Sequence, residues 1–210
     1  MSGDLGNDRL SGGNGSDNLF GGPGDDSLFG EAGNDGLDGD DGNDRLFGGD
    51  GSDFFRGDFG NDILDGGAGN DLLNGADQTF GNATVSRGRG EIDVLTGGVG
   101  GDTFILQSGT EGFEFGPSYL GNGNSDYALI SDFNKNEDVI RLAQNDVSPG
   151  SPPVSVEYSL GASPSDLPEG TAIFVNNLGA KPDLIAILQG VSPNSLNLTE
   201  PYFNFSSSLF

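Results

Sequence analysis

Residues 3–74 read GDLGNDRLS, GGNGSDNLF, GGPGDDSLF, GEAGNDGLD, GDDGNDRLF, GGDGSDFFR, GDFGNDILD and GGAGNDLLN, eight nonapeptides in one unbroken register. Position 1 and position 4 are always Gly, and position 6 is always Asp. Position 8 is Leu in every copy except at Phe55. The register lapses at Gly75, through GADQTFGNATVSRGRG, and returns at Glu91 with EIDVLT, which sets Asp93 at position 6 and Leu95 at position 8. A last full copy, GGVGGDTFI, runs from Gly97 to Ile105. Self-similarity at a short fixed period is the mark of a solenoid, in which each repeat buries its apolar face only by stacking on its neighbours.

Each nonapeptide reads as a glycine-rich turn over positions 1 to 6 and a short strand over positions 7 to 9. Glycine permits positive φ and close approach of backbone to a ligand. In the strand, side chains alternate between faces, so position 8 points one way and positions 7 and 9 the other. Leu10, Leu19, Leu28, Leu37, Leu46, Phe55, Leu64 and Leu73 are therefore the expected core. Two nonapeptides make one coil, so loops on one edge recur every 18 residues. Odd-numbered repeats form one sheet and even-numbered repeats the other. Phe29 and Phe47 fall outward on adjacent rungs of one sheet, and Phe20 and Phe54 on the other.

The sixth-position carboxylates then line up along the edges. Asp8, Asp26, Asp44 and Asp62 share one edge; Asp17, Asp35, Asp53 and Asp71 share the other, with Asp93 and Asp102 following the break. Stacked strands lie about 4.7–4.9 Å apart, and calcium takes oxygen ligands at about 2.3–2.6 Å. An ion between two stacked loops therefore touches oxygens on both. Calcium needs six to eight oxygens, so backbone carbonyls must complete the shell. The glycines read as carbonyl donors are Gly12, Gly13 and Gly15; Gly21, Gly22 and Gly24; Gly30 and Gly33; Gly39 and Gly42; Gly48, Gly49 and Gly51; Gly57 and Gly60; and Gly66, Gly67 and Gly69. Carbonyls of positions 1 and 3 are assigned to one neighbouring ion and those of positions 2 and 4 to the other. The array implies about six ions, or eight with the loops around Asp93 and Asp102. Asp38-Gly39-Asp40 begins like an EF-hand loop, but Gly49 stands where its closing Glu belongs.

Composition agrees. The chain has 210 residues, 39 of them Gly, with 33 acidic and 8 basic side chains and a formal net charge of −25. So much negative charge argues against nucleic acid or an anionic membrane as partner. Without cations, columns of Asp one strand spacing apart repel, so the chain is expected to fold only as calcium binds. There is no His and no Cys. Histidine-based triads, histidine or thiolate zinc sites and disulfides are thereby excluded. Neither H-E-x-x-H nor G-x-S-x-G occurs. No catalytic residue is expected. The first ten residues, MSGDLGNDRL, lack the basic and apolar stretches of a cleaved signal peptide. No apolar run approaches the roughly 18 residues of a membrane span.

The nonapeptide pattern G-G-x-G-x-D-x-U-x resembles the repeats of the RTX family of calcium-binding proteins, over about half the chain. That resemblance implies an all-β fold, a right-handed parallel β-roll of two sheets. The expected division is a calcium-binding roll over 1–105, interrupted at about 75–90, and a C-terminal all-β cap over 106–210. Strand candidates in the second half are DYALI and DVIRL around a polar turn, then VSVEYSL, GTAIFVNN, DLIAILQG and YFNF. Nine of the ten prolines lie there, at the breaks. The segment from Asp126 to Leu142 resembles the C-terminal region of secreted RTX proteins, cyanobacterial ones in particular. The resemblance implies extracellular secretion through a type I exporter, an uncleaved C-terminal signal for which SSSLF at the end is suited, and folding by external calcium. Asp126, Asp132 and Asp138 read first as turn and strand-end residues and second as holders of an extra ion. Two other readings stay open: the C-terminal module of a secreted enzyme, and an adhesin or glycan-binding module that uses the outward Phe side chains.

Overall fold

The computed structural model describes residues 1–76, 91–108, 116–117, 127–143, 157–176 and 182–206. Asp126, most of the interruption after Gly75, and the final SSLF lie outside the described residues. The chain winds back and forth between two sheets, so the repeat section is a parallel β-roll. β1 (Arg9–Asn14), β3 (Ser27–Ala32), β5 (Arg45–Asp50), β7 (Ile63–Ala68) and β9 (Ile92–Val99) stack side by side in one sheet. β2 (Asn18–Phe20), β4 (Gly36–Asp41), β6 (Phe54–Phe59), β8 (Leu72–Ala76) and β10 (Thr103–Ile105) stack in the other. All these neighbours pair in parallel, with Leu10 opposite Leu28, Leu28 opposite Leu46, and Leu46 opposite Leu64.

The position-8 side chains are the core. Leu10 is 4% exposed and the other seven at most 1%. Each contributes about 1.5–3 kcal/mol by leaving water. The layer is one side chain deep from each sheet.

The strands are longer than the repeat suggested. Except in β2 and β10, which stop at position 9, and β8, which stops at position 2, they run on through positions 1 to 3 of the next nonapeptide, as in Ser27–Ala32. Positions 1 to 3 keep ladder bonds because the next rung repeats their shape: the Gly21 N–H donates to the Asp38 carbonyl at 2.8 Å. A left-handed residue at position 2 bends each strand toward its loop. Gly fills it in several copies, but Asp4, Glu31, Asp40 and Asp58 hold the same conformation at φ 69–76°.

The break after Gly75 does not disturb the register. Leu64 faces Leu95 and Leu73 faces Phe104, so the inward columns resume one rung on. They also continue past residue 105. β13 (Tyr127–Ile130) pairs parallel to β9, and β14 (Val139–Ala143) parallel to β10. β13 and β14 therefore do not form a hairpin. Residues 131–138 cross between the sheets as a nonapeptide loop does. β11 (Gln107–Ser108) and β12 (Gly116–Pro117) form a small antiparallel pair. Beyond β13, the first sheet is closed by β17 (Asp183–Gln189), β16 (Gly170–Asn176) and β15 (Glu157–Ala162), the last two pairings being antiparallel. The second sheet ends with β18 (Phe203–Ser206) beside β14. Ile130, Leu188, Ile140 and Phe203 extend the core in one buried cluster with the repeat leucines. Among the described residues no helix is long and apolar enough to cross a membrane.

Candidate metal centre

The loops at the two edges stack with their position-6 carboxylates in line. Each Asp backbone N–H donates to the carboxylate of the Asp one rung further on. On one edge Asp8 donates to Asp26 Oδ1 (2.6 Å), Asp26 to Asp44 (2.7 Å), Asp44 to Asp62 (2.9 Å) and Asp62 to Asp93 (2.8 Å). On the other, Asp17 donates to Asp35 (2.8 Å), Asp35 to Asp53 (2.8 Å), Asp53 to Asp71 (2.8 Å) and Asp71 to Asp102 (2.9 Å). All ten sequence-selected carboxylates thus fall into two columns, including the two beyond the break.

These carboxylates leave water without a full set of partners. Asp26, Asp35, Asp44, Asp53, Asp62, Asp71, Asp93 and Asp102 are at most 3% exposed. The second oxygen, Oδ2, of Asp8, Asp26, Asp35, Asp44, Asp53, Asp62, Asp71 and Asp102 is buried with no hydrogen-bond partner. A buried orphan carboxylate oxygen is costly unless a cation or proton meets it. Burial, joined by repulsion from the neighbouring Asp, pushes the Asp62 carboxyl up to about 9, Asp44 to about 7 and Asp71 to about 6. Asp26, Asp53 and Asp102 are raised for the same reasons, burial first.

Carbonyls converge on the same places. A Cβ on Gly21 would lie 2.7 Å from the carbonyl oxygen of Gly39 on the next rung and also against Asp26 Oδ2. Gly30, Gly39, Gly48, Gly57 and Gly66 show the same two neighbours, a position-6 Oδ2 and the next rung's position-1 carbonyl. Only hydrogen fits there. Carbonyls at positions 1 and 3 point back toward the preceding rung: the Gly22 N–H donates to the Gly39 carbonyl, the Gly24 N–H to that of Asp41 and the Gly42 N–H to that of Phe59. Carbonyls at positions 2 and 4 point forward, since those of Asp4 and Gly6 lie under Gly22 and Gly24. Gly12, Gly13, Gly15, Gly33, Gly49, Gly51, Gly60, Gly67 and Gly69 occupy the corresponding loop positions. The donor set is all oxygen and carries strong negative charge, which fits a hard divalent cation such as calcium.

Asp138 extends the second column. The Asp102 N–H donates to Asp138 Oδ1 at 3.0 Å, but Asp138 Oδ2 accepts from the Asn134 N–H at 2.7 Å. Asp132 meanwhile accepts from the Gly97 and Gly98 N–H groups at 3.0 and 2.8 Å, in place of the carbonyls of a further repeat. These bonds close the ladder with protein hydrogen bonds.

Two features of the loops escaped the sequence reading. Asp38, Asp40 and Asp58 bring carboxylate oxygens within 4.8 Å of one another. Arg56 bonds Asp38 and lies 3.5 Å from Asp58, so a protein cation already serves that cluster. Position 5, free in the motif, forms a second column of side-chain acceptors; its signal was its restriction to Asn, Asp and Ser from Asn7 to Asn70. Outside the loops, the rings of Phe29 and Phe47 stack at 5.0 Å and 12°, with the Arg9 guanidinium 3.8 Å over Phe29.

Residues 2–37 and 38–73 match the RTX calcium-binding nonapeptide repeat (4 copies). No curated protein matches the chain. Among solved structures, the chain is similar to the solution structure of the AlgE6R3 subunit of the mannuronan C5-epimerase of Azotobacter vinelandii. The likeness is 21% identity over 94% of this chain and 83% of that one, with a TM-score of 0.29.

Proposed function

We propose that the stacked loops of this chain, whose residues 2–73 match the RTX calcium-binding nonapeptide repeat, hold calcium between successive rungs and that this binding drives the folding of a secreted, non-catalytic module. The observation that carries the reading is the double column of buried Asp side chains whose Oδ2 atoms have no protein partner. Calcium, when bound, supplies the positive charge that the columns lack. Asp8, Asp17, Asp26, Asp35, Asp44, Asp53, Asp62, Asp71, Asp93 and Asp102 hold it by carboxylate, and the loop glycines by carbonyl.

Eight stacked Asp pairs along the two edges support about six to eight ions. Residues 106–210 act as the end cap of the roll. Their strands continue both sheets, and the antiparallel, half-exposed β15 is the kind of edge that stops further stacking. We assign the chain no catalytic step, since its paired carboxylates belong to the ion columns.

The same coupling suits secretion. With a net charge of −25 and no calcium, the chain stays unfolded and can thread a type I exporter. External calcium then folds it. Isothermal titration of the chelated protein tests the binding reading. We expect six to eight calcium ions per chain with a large exothermic folding component; binding of one ion or none would overturn it.

A further inference from the structure

The position-6 ladder runs in one direction only. Each of its N–H groups points to the next rung. The N–H just before it points the other way, to the position-5 side chain of the rung behind. The Asn43 N–H donates to Asp25 Oδ1 at 2.9 Å, and the Asn61 N–H to Asn43 Oδ1 at 3.0 Å. The side-chain amides repeat the step, Asn43 Nδ2 to Asp25 Oδ1 at 3.1 Å and Asn61 Nδ2 to Asn43 Oδ1 at 3.2 Å. On the other edge the Ser52 N–H donates to Asn34 Oδ1 at 3.0 Å, and the Asn70 N–H to Ser52 Oγ at 3.2 Å.

The loops of Asp25, Asn43, Ser52, Asn61 and Asn70 are therefore tied to both neighbours, forward by a carboxylate and backward by a position-5 oxygen. The two ties differ in what they need. The forward tie uses a buried carboxylate that repels its neighbours unless a cation is present. The backward tie is mostly neutral and exposed, and it needs no ion.

The backward ties also span the break. The Ile92 N–H donates to Asn61 Oδ1 at 2.8 Å, and the Gly101 N–H to Asn70 Oδ1 at 2.8 Å, each across 31 residues. Neither Ile92 nor Gly101 has a polar side chain to pass the ladder on. Among the described residues, Asn61 and Asn70 are its last acceptors.

We propose that the position-5 side chains are positioning residues for the ion sites, and that Asn61 and Asn70 set the loop register across the interruption. They fix the spacing of adjacent loops, so a loop that has bound its ion presents its neighbour ready to bind. They touch no ion themselves. This rests on the calcium reading above and adds the source of its cooperativity.

The test compares the full chain with Asn43→Ala/Asn61→Ala and with Asn43→Ser/Asn61→Ser, which keeps an acceptor as Ser52 does. Calcium titrations followed by circular dichroism give midpoint and slope, and isothermal titration gives ion number. The Ala pair is expected to raise the midpoint about three- to tenfold and flatten the slope with the ion number unchanged. The Ser pair is expected to recover at least half of that shift. A wild-type titration for the Ala pair, a loss of ions, or equal damage in the Ser pair would overturn the proposal. Failure of the Ala pair to fold at any calcium level supports it if the Ser pair folds, and overturns it if neither does. A wild-type chain indifferent to calcium would instead sink the calcium reading.

Discussion

The backbone N–H of Asp62 donates to the carboxylate of Asp93 at 2.8 Å across 31 residues, the same bond that joins Asp44 to Asp62 across 18. The interruption thus adds 31 − 18 = 13 residues to one coil without moving the rung that follows. Excision of residues 77–89, with Glu91→Gly to restore the position-4 glycine, should leave the ion number unchanged and the calcium midpoint within about twofold. A loss of two ions in isothermal titration would show that the extra residues build the sites beside them.

Asp62 lies between two carboxylates, those of Asp44 and Asp93, and its Oδ2 has no partner. Asp62→Ala should raise the calcium midpoint about tenfold or more and remove ions from two adjacent gaps. Arg45→Ala changes a side chain exposed on the outer face and should leave the ion number as it is. The comparison is read by isothermal titration.

Gly42 sits at position 4 with φ 147°, and a Cβ there would collide with the Gly24 carbonyl beneath it. Gly42→Ala combines backbone strain with a collision against the stacked carbonyl, at a cost of about 1–3 kcal/mol from strain alone. The variant should need several times more calcium to reach full β-structure. A titration coincident with wild type would contradict the stacking of these loops.

If the columns hold calcium as proposed, protons compete for the same oxygens. In the unfolded chain these carboxyls titrate near 3.8, whereas in the fold Asp71, Asp44 and Asp62 hold their protons up to about 6, 7 and 9. The folded state therefore binds more protons between those limits. Its metal-free stability is fullest below about pH 4 and is lost as pH rises through 6 to 9. In excess chelator, circular dichroism should show β-structure increasing as the pH is lowered from 9 to 4. No gain, or a loss, would contradict the burial of the columns.

The repeat section was legible because both of its determinants are periodic in the sequence. Leu at position 8 can serve only as an inward face, and Asp at position 6 only as an edge. The alternation of carbonyls between positions 1 and 3 and positions 2 and 4 followed from extended geometry. The continuation of most strands through position 3 did not, because glycine carries no strand signal. Asn43 and Asn61 were passed over because the family pattern leaves position 5 open, and only the stacked loops reveal their acceptors. The second half was legible as strands but not as arrangement. Nothing local to YALI or VIRL tells that Tyr127–Ile130 joins one sheet and Val139–Ala143 the other. That follows from the register of Ile130 on Leu95 and of Ile140 on Phe104.

On the reading proposed above, the charge of the Asp columns forbids the fold until calcium meets it. Far-UV circular dichroism of the chelated full chain at pH 7.5, followed through a calcium titration, tests this most directly. The expected result is a largely disordered spectrum that turns to β-structure in one steep calcium-dependent transition, with magnesium far less effective. A chelated chain that is already fully β-structured, and unchanged by calcium, would contradict it.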